Sequence, residues 1–302
     1  MSKNLIVILG PTASGKTHMA VRLALDLQGE IISADSRQVY KRMDIGTGKD
    51  LDQYTVGGRT VKYHLIDVVE PLHEFNVYEF QRMFYGIFSE LSAKRVTPVL
   101  VGGTGLYLES VLLGYDLPAA TVDEPFREIL ERRSTEELQK ELLHLRPQLH
   151  NRTDLEDRER LIRAIEIETA RLKKAEAERS RPDIDALVFG VKCERAALRA
   201  RITQRLKERL SRGMIQEVEN LHREGLSWER LERFGLEYRY IAQYLQGKLS
   251  LAEMTEKLNT AIHQFAKRQE TWFRRMEKRG ISIIWISPQD YDVMKETALK
   301  SL

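Results

Sequence analysis

A single cysteine among 302 residues leaves no partner for an internal disulfide and no basis for a multi-cysteine zinc site. It is Cys193, set in an apolar stretch where a thiol is expected to act as a small core side chain. Long apolar runs are missing too. None approaches the roughly 20 residues that a membrane-spanning helix needs, and Met1-Ser2-Lys3 leads straight into a core-like run with no apolar leader before it. A cytoplasmic protein without a membrane partner is therefore expected. Internal repeats and low-complexity tracts are lacking. Excess charge is nearly absent as well: the net value of +3 names no partner by itself. What is present is 42% hydrophobic and 31% charged residues, the balance of a globular protein long enough for a large core and two structural units. The basic residues cluster, with seven Arg/Lys in 195–212 and six in 267–279. Such faces are usually just solvated, but they are also what an RNA-binding surface requires.

The chain is organised around Gly10-Pro11-Thr12-Ala13-Ser14-Gly15-Lys16-Thr17, which reads G-x-x-x-x-G-K-T. Leu5–Leu9 precedes it as a buried-strand run, and Ala20, Leu23, Ala24 and Leu27 follow at helical spacing. Strand, glycine turn and helix are the context in which this motif cradles phosphate. The backbone N–H groups of residues 13–17 turn inward, and the helix start adds its positive end. Lys16 brings a cation to the outer phosphates, and the Thr17 hydroxyl can hold Mg2+. The loop does not say which phosphate compound it binds.

Further along, Glu30–Ala34 reads as a second strand ending at Asp35-Ser36-Arg37-Gln38, and Val61–Val69 alternates as another strand up to Pro71. Residues 77–93 carry a helical apolar face. Val99-Leu100-Val101 is a buried strand ending in Gly102-Gly103-Thr104-Gly105. Strands alternating with helices imply an α/β protein with a parallel sheet. From Pro118 to about Pro182 the chain reads as charged helix throughout (124–133, 135–145, 155–174), an all-helical insertion. Ala186–Val191 then resumes the sheet, helices follow over about 196–212 and 215–223, and Ile281–Ile286 gives a last strand. The expected organisation is a discontinuous core, 1–117 plus 183–302, interrupted by a helical unit, 118–182.

An ATP-hydrolysing protein usually ends a second apolar strand in Asp to support magnesium. Here that strand ends Leu-Val-Gly-Gly-Thr, so the nearest candidate acid is Asp35. Just past a strand's carboxyl end it could accept a proton from a nucleophile, or simply form the Asp-Ser turn.

GPTASGKT, ISADSRQVYKRMDIGTGK (Ile32–Lys49), HLIDVVEP (His64–Pro71) and LVGGTGLY (Leu100–Tyr107) closely resemble the tRNA dimethylallyltransferase family, also called tRNA isopentenyltransferases. RLIRAIE (Arg160–Glu166), GLEYR (Gly235–Arg239) and AKRQETW (Ala266–Trp272) extend the likeness in order over roughly nine-tenths of the chain. The phosphate loop is shared by many families; the set D-S-R-Q, L-V-G-G-T-G-L-Y and K-R-Q-x-T-W is specific. The resemblance implies a P-loop NTPase-like parallel sheet flanked by helices. It implies transfer of a dimethylallyl group from dimethylallyl diphosphate to N6 of the adenosine 3′ of the anticodon, in tRNAs reading codons that begin with U. The loop would then hold the donor diphosphate with Lys16, Arg239 and a Mg2+ on Thr17. Asp35 would take the N6 proton and Thr104 would fix the amine. Asp35, Ser36, Arg37, Gln38 and Thr104, with Arg127, Glu159, Arg160, Leu161, Ile162 and Arg163 in the insertion and Arg268 and Gln269 near the end, match positions that the family sets against tRNA.

Plainer uses stay open beside these. Thr104 could cap a helix, Arg239 could pair with Glu232 or Glu237, and each insertion arginine could be a solvated one. Two departures stand out. Glu156-Asp157-Arg158 replaces the common Asn-Asp-Pro, and the G-Y-R core is expanded to G-L-E-Y-R. The zinc-finger extension of eukaryotic relatives is absent. Other readings are an adenylate isopentenyltransferase acting on free AMP, ADP or ATP, a small-molecule P-loop kinase, and a non-catalytic RNA-binding protein. The helical insertion favours RNA over free nucleotide. A monomer is expected.

Overall fold

The five apolar residues Leu5–Leu9 form β1, every one of them fully buried, and the main sheet is laid out around this strand. The computed structural model describes residues 2–117, 124–145, 155, 157–173 and 181–302. By contacts the chain divides into two compact units, one running to Gly114 and resuming at Pro182, the other spanning Tyr115–Arg181.

The larger unit begins with β1, α1 (Lys16–Asp26) and β2 (Glu30–Ala34). A small hairpin, β3 (Thr55–Val56) and β4 (Arg59–Thr60), precedes β5 (Tyr63–His64), α2 (Val77–Ala93), β6 (Pro98–Gly102) and α3 (Gly105–Leu112). Main-sheet order is β5-β2-β6-β1, continued by two later strands, β7 (Ala186–Val191) and β8 (Ile283–Ile286), with every pairing parallel. Burial on both faces explains why β1 and β6 read as unbroken apolar runs. Each such Leu, Ile or Val contributes about 1.5–3 kcal/mol by leaving water. α2 starts where its sequence says it should: Asn76 accepts from the N–H groups of Tyr78 and Glu79, while Glu79 accepts from the Asn76 N–H.

The alternation over Val61–Val69 yields only the two-residue β5, because Leu65 and Asp67 have left-handed backbones (φ 61° and 56°) that no extended strand accommodates. Buried Lys49 organises this bend. Its ammonium donates to the Tyr40 carbonyl at 2.8 Å, to Asp44 at 2.6 Å and to Asp67.

The helical segment of the smaller unit contains α4 (Glu124–Glu131), α5 (Thr135–Leu145) and α6 (Arg158–Lys173). Their core is Leu130, Leu138, Leu142, Leu161, Ile162 and Ile165. Arg158 ties α6 to the α4–α5 turn, donating to the carbonyls of Glu131 at 2.9 Å and Arg133 at 2.6 Å. Pro118, Glu156 and Lys174, used above as boundaries or departures, lie outside the described residues.

The rest of the larger unit is mostly helix: α7 (Arg195–Ser211), α8 (Met214–Arg223), α9 (Trp228–Arg233), α10 (Leu236–Leu245), the 28-residue α11 (Leu251–Lys278) and, after β8, α12 (Tyr291–Ser301). These helices build a second core around Val39, Met43, Ile202, Tyr238, Ile241 and Leu258. That core seats α7 and α11 against the carboxyl ends of the strands, where ligands of open α/β sheets bind.

Candidate active site

The phosphate loop leaves β1 at Gly10 and enters α1 at Lys16. Gly15 turns it with φ +88°, and as the helix N-cap it offers no side chain to the first-turn N–H groups, which stay available to an anion. Lys16 folds back to donate to the Pro11 carbonyl at 3.3 Å. Burial, helped by Arg205 and Arg209 and opposed by Asp35, brings its pKa down to about 8. A cleft of about 550 Å³ opens beside the loop, lined by Gly15, Lys16 and Thr17 on one side and by Arg201, Arg205 and Arg209 of α7, with Arg212 just past its end, on the other. These arginines recur on one face of the helix, so the basic run reads in three dimensions as a row of guanidinium groups facing a phosphate loop. Arg209 is nine-tenths buried, and its Nε has no hydrogen-bond partner among the described residues.

Two turns meet at the ends of β2 and β6, which pair directly through Ala34 and Gly102. The Thr104 hydroxyl accepts the Ser36 N–H at 3.1 Å, and the Thr104 N–H donates to the Ala34 carbonyl at 3.3 Å. Although Thr104 occupies the N-cap of α3, its side chain does not cap that helix. Asp35 Oδ1 accepts from the N–H of Arg37 at 2.8 Å and of Gln38 at 3.4 Å, so the Asp turn is real. Its other oxygen carries no hydrogen bond among the described residues. Asp35 is close enough to Lys16 to raise that residue's pKa and so belongs to the same electrostatic site.

α11 locks the two turns to the phosphate loop. Gln269, buried, accepts from the Thr12 N–H at 2.8 Å and donates to the Gly103 carbonyl at 2.9 Å.

A family model described as IPP transferase matches residues 38–276, and one described as isopentenyl transferase matches 3–67. A relative named tRNA dimethylallyltransferase 1, from Syntrophus aciditrophicus (strain SB), is 56% identical over 98% of this chain and 97% of its own length. The chain belongs to the IPP transferase family. A tRNA dimethylallyltransferase 2 from Trichlorobacter lovleyi is 54% identical over 94% of the chain and 92% of its own length. Among solved structures, the full-length tRNA isopentenylpyrophosphate transferase of Bacillus halodurans superposes with TM-score 0.70 at 30% identity, covering 100% of this chain and 97% of that one. A eukaryotic dimethylallyltransferase acting on tRNA shares the fold at TM-score 0.76 and 23% identity, with 96% and 76% covered. The fold of this IPP transferase is thus P-loop NTPase-like.

Within that family frame, only some of the expected site residues line the cleft. Arg239 is exposed, and its Nε donates to the Glu232 carbonyl at 3.2 Å; it is not among the residues lining the cleft. Arg205 and Arg209 do line it. Gln38 is engaged at both ends of its amide, by the Ser33 hydroxyl at 3.0 Å and the Gly48 carbonyl at 3.0 Å, and buried Gln269 is likewise spent inside the fold. Leu161 and Ile162 are interior, leaving no surface for RNA; they anchor the helix whose outer side carries Glu159 and Arg160. Arg163 donates to Glu166 at 3.0 Å, and Arg127 lies 3.7 Å from the same carboxylate, whereas Arg160 is more than half exposed. Arg268 is exposed on α11 above the Phe265 ring. Cys193 is half-buried rather than in the core, its thiol 3.3 Å from the Ser14 carbonyl under the loop.

The sequence offers Glu237 only as an ion-pair partner for Arg239. It shares a small recess with Thr12, Ala13, Arg205 and Arg209, where burial pushes its carboxyl pKa up against the pull of the two arginines. Nothing in the spacing of G-L-E-Y-R distinguishes it from a surface acid.

Among the described residues there is no cluster of three or more His, Cys, Asp or Glu side chains able to hold a metal. Thr17 lines the cleft next to Lys16, and a hydroxyl there would suit a Mg2+ held chiefly through substrate phosphates.

Proposed function

We propose that this chain transfers the dimethylallyl group of dimethylallyl diphosphate to N6 of the adenosine 3′ of the anticodon in tRNA. The observation that carries the reading is the meeting of the phosphate loop, the arginine row and the Asp35–Thr104 pair at the carboxyl ends of the central strands.

The diphosphate lies in the loop, held by the N–H groups of residues 13–17, Lys16, Arg205 and Arg209. Thr17 would hold a Mg2+, which would supply further neutralisation of the leaving group. The N6 lone pair attacks the allylic carbon C1. The C1–O bond breaks, and its electron pair leaves with the diphosphate. Charge grows on that leaving group in the transition state, where preorganised donors lower the barrier most. The N6 proton passes to the free oxygen of Asp35, while Thr104 fixes the amine. The adenine must leave the anticodon stack to reach this point. Ser36 and Arg37 at the turn, with Arg160 in the helical unit, contact the RNA.

The smaller unit, and a likeness to tRNA-modifying relatives that extends across almost the whole chain, support tRNA over free nucleotide as the acceptor. Labelled dimethylallyl diphosphate incubated with unmodified tRNA, AMP and ATP in parallel tests this. Label in tRNA alone is expected; label in AMP or ATP would make the protein an adenylate isopentenyltransferase.

A further inference from the structure

Asp50 stands opposite the phosphate loop and is not used by the reaction derived above. Its carboxylate reaches across to α7, 2.5 Å from Arg205, 3.4 Å from Arg209 and 3.9 Å from Arg212. All four residues line the same cleft as Lys16 and Thr17. The placement is built rather than incidental. The preceding residue is the buried Lys49, pinned by the Tyr40 carbonyl, Asp44 and Asp67. Asp50 itself takes a left-handed backbone (φ 43°) uncommon for a non-glycine residue, and it makes no side-chain cap to the turn that it begins. Its side chain is only 14% exposed.

We infer that Asp50 is an internal stand-in for the diphosphate, occupying the α7 guanidinium groups between turnovers and setting how tightly the site holds pyrophosphate. The inference rests on reading the loop as the diphosphate site. An anion seated in the loop draws on the same Arg205 and Arg209 donors, so carboxylate and diphosphate compete for them. Free pyrophosphate has one more ionisable oxygen than its allyl ester, and a row of arginines facing a lysine therefore favours product over donor. A carboxylate that re-pairs with the arginines as pyrophosphate leaves counters that bias and speeds release. Burial raises the Asp50 pKa, yet Arg205 and Arg209 outweigh it and hold the carboxyl below its ordinary value, so the stand-in is charged at neutral pH.

The test is calorimetric binding of inorganic pyrophosphate to the full-length protein, with and without Mg2+, for the native chain, Asp50→Asn and Asp50→Ser. Both variants are expected to bind pyrophosphate about tenfold tighter, the scale of one close charge pair. They should also show a larger pyrophosphate-induced rise in melting temperature and, in turnover, stronger product inhibition with a lower kcat. Pyrophosphate affinity that is unchanged or weaker in both variants overturns the inference, as does weakening confined to samples with Mg2+, which would make Asp50 a metal ligand. Absence of pyrophosphate binding by the native chain would instead overturn the diphosphate reading of the loop.

Discussion

The Thr104 hydroxyl accepts the Ser36 N–H at 3.1 Å, joining the turn after β6 to the turn that carries Asp35. The two turns that carry Asp35 and Thr104 are thus held as one piece. Thr104→Ala removes that tie and is expected to cost about 1 kcal/mol of stability and to lower turnover by at least about tenfold through misplacement of the amine. Thr104→Ser should recover most of both. Melting curves and single-turnover rates on an anticodon stem-loop check this, and equal rates for the Ala and native proteins would remove Thr104 from the site.

One Asp35 oxygen caps its turn, while the other carries no hydrogen bond among the described residues. Asp35→Asn keeps an oxygen for the Arg37 and Gln38 N–H groups but cannot take a proton. Its melting temperature should stay near native while kcat falls by roughly two to four orders of magnitude. Asp35→Ala should lose stability as well. Near-normal turnover by Asp35→Asn at saturating RNA would rule out proton removal by this residue.

Lys16 gives the donor site a pH dependence. Burial and Arg205 bring it from 10.5 to about 8, and the protonated form is the one that holds an anion. Affinity for dimethylallyl diphosphate is expected to be flat below about pH 8 and to weaken above it, with proton uptake on binding. Stability of the free protein moves the other way. Between about 8 and 10.5 the unfolded chain holds this proton better than the folded one, so rising pH favours folding. Calorimetry across pH 7 to 9.5 in two buffers checks the binding arm, and constant affinity across that range would contradict it.

RNA binding by the smaller unit should depend unequally on its arginines. Arg160 is largely exposed, whereas Arg163 is committed to Glu166. Arg160→Gln is expected to weaken tRNA binding and reduce the salt slope by up to about one, with Arg163→Gln changing the slope less and donor affinity untouched in both. An unchanged slope for Arg160→Gln would return that residue to solvent.

The parts of this architecture that follow from local rules were legible in the sequence. Leu5–Leu9, the loop and α1 sit together in the chain, and α2 runs over Val77–Ala93 as its periodicity and Asn76 cap require. What the sequence could not show is which basic helix faces the loop. The spacing of Arg201, Arg205 and Arg209 marks one face of α7, but only the packing of that helix on the second core turns the face toward Lys16. A motif also says nothing about inside and outside. Gln38 and Gln269 brace the turns, and Leu161 and Ile162 fill the helical core.

The central claim is that one pocket holds a prenyl diphosphate within reach of Asp35. A crystal structure with a non-reactive thiolo analogue of dimethylallyl diphosphate and an anticodon stem-loop tests it most directly. The account predicts the diphosphate against the N–H groups of residues 13–17 and the Arg205 and Arg209 guanidinium groups, with the extruded N6 in hydrogen-bond reach of Asp35. A diphosphate bound elsewhere, or an N6 beyond reach of that carboxylate, would contradict it.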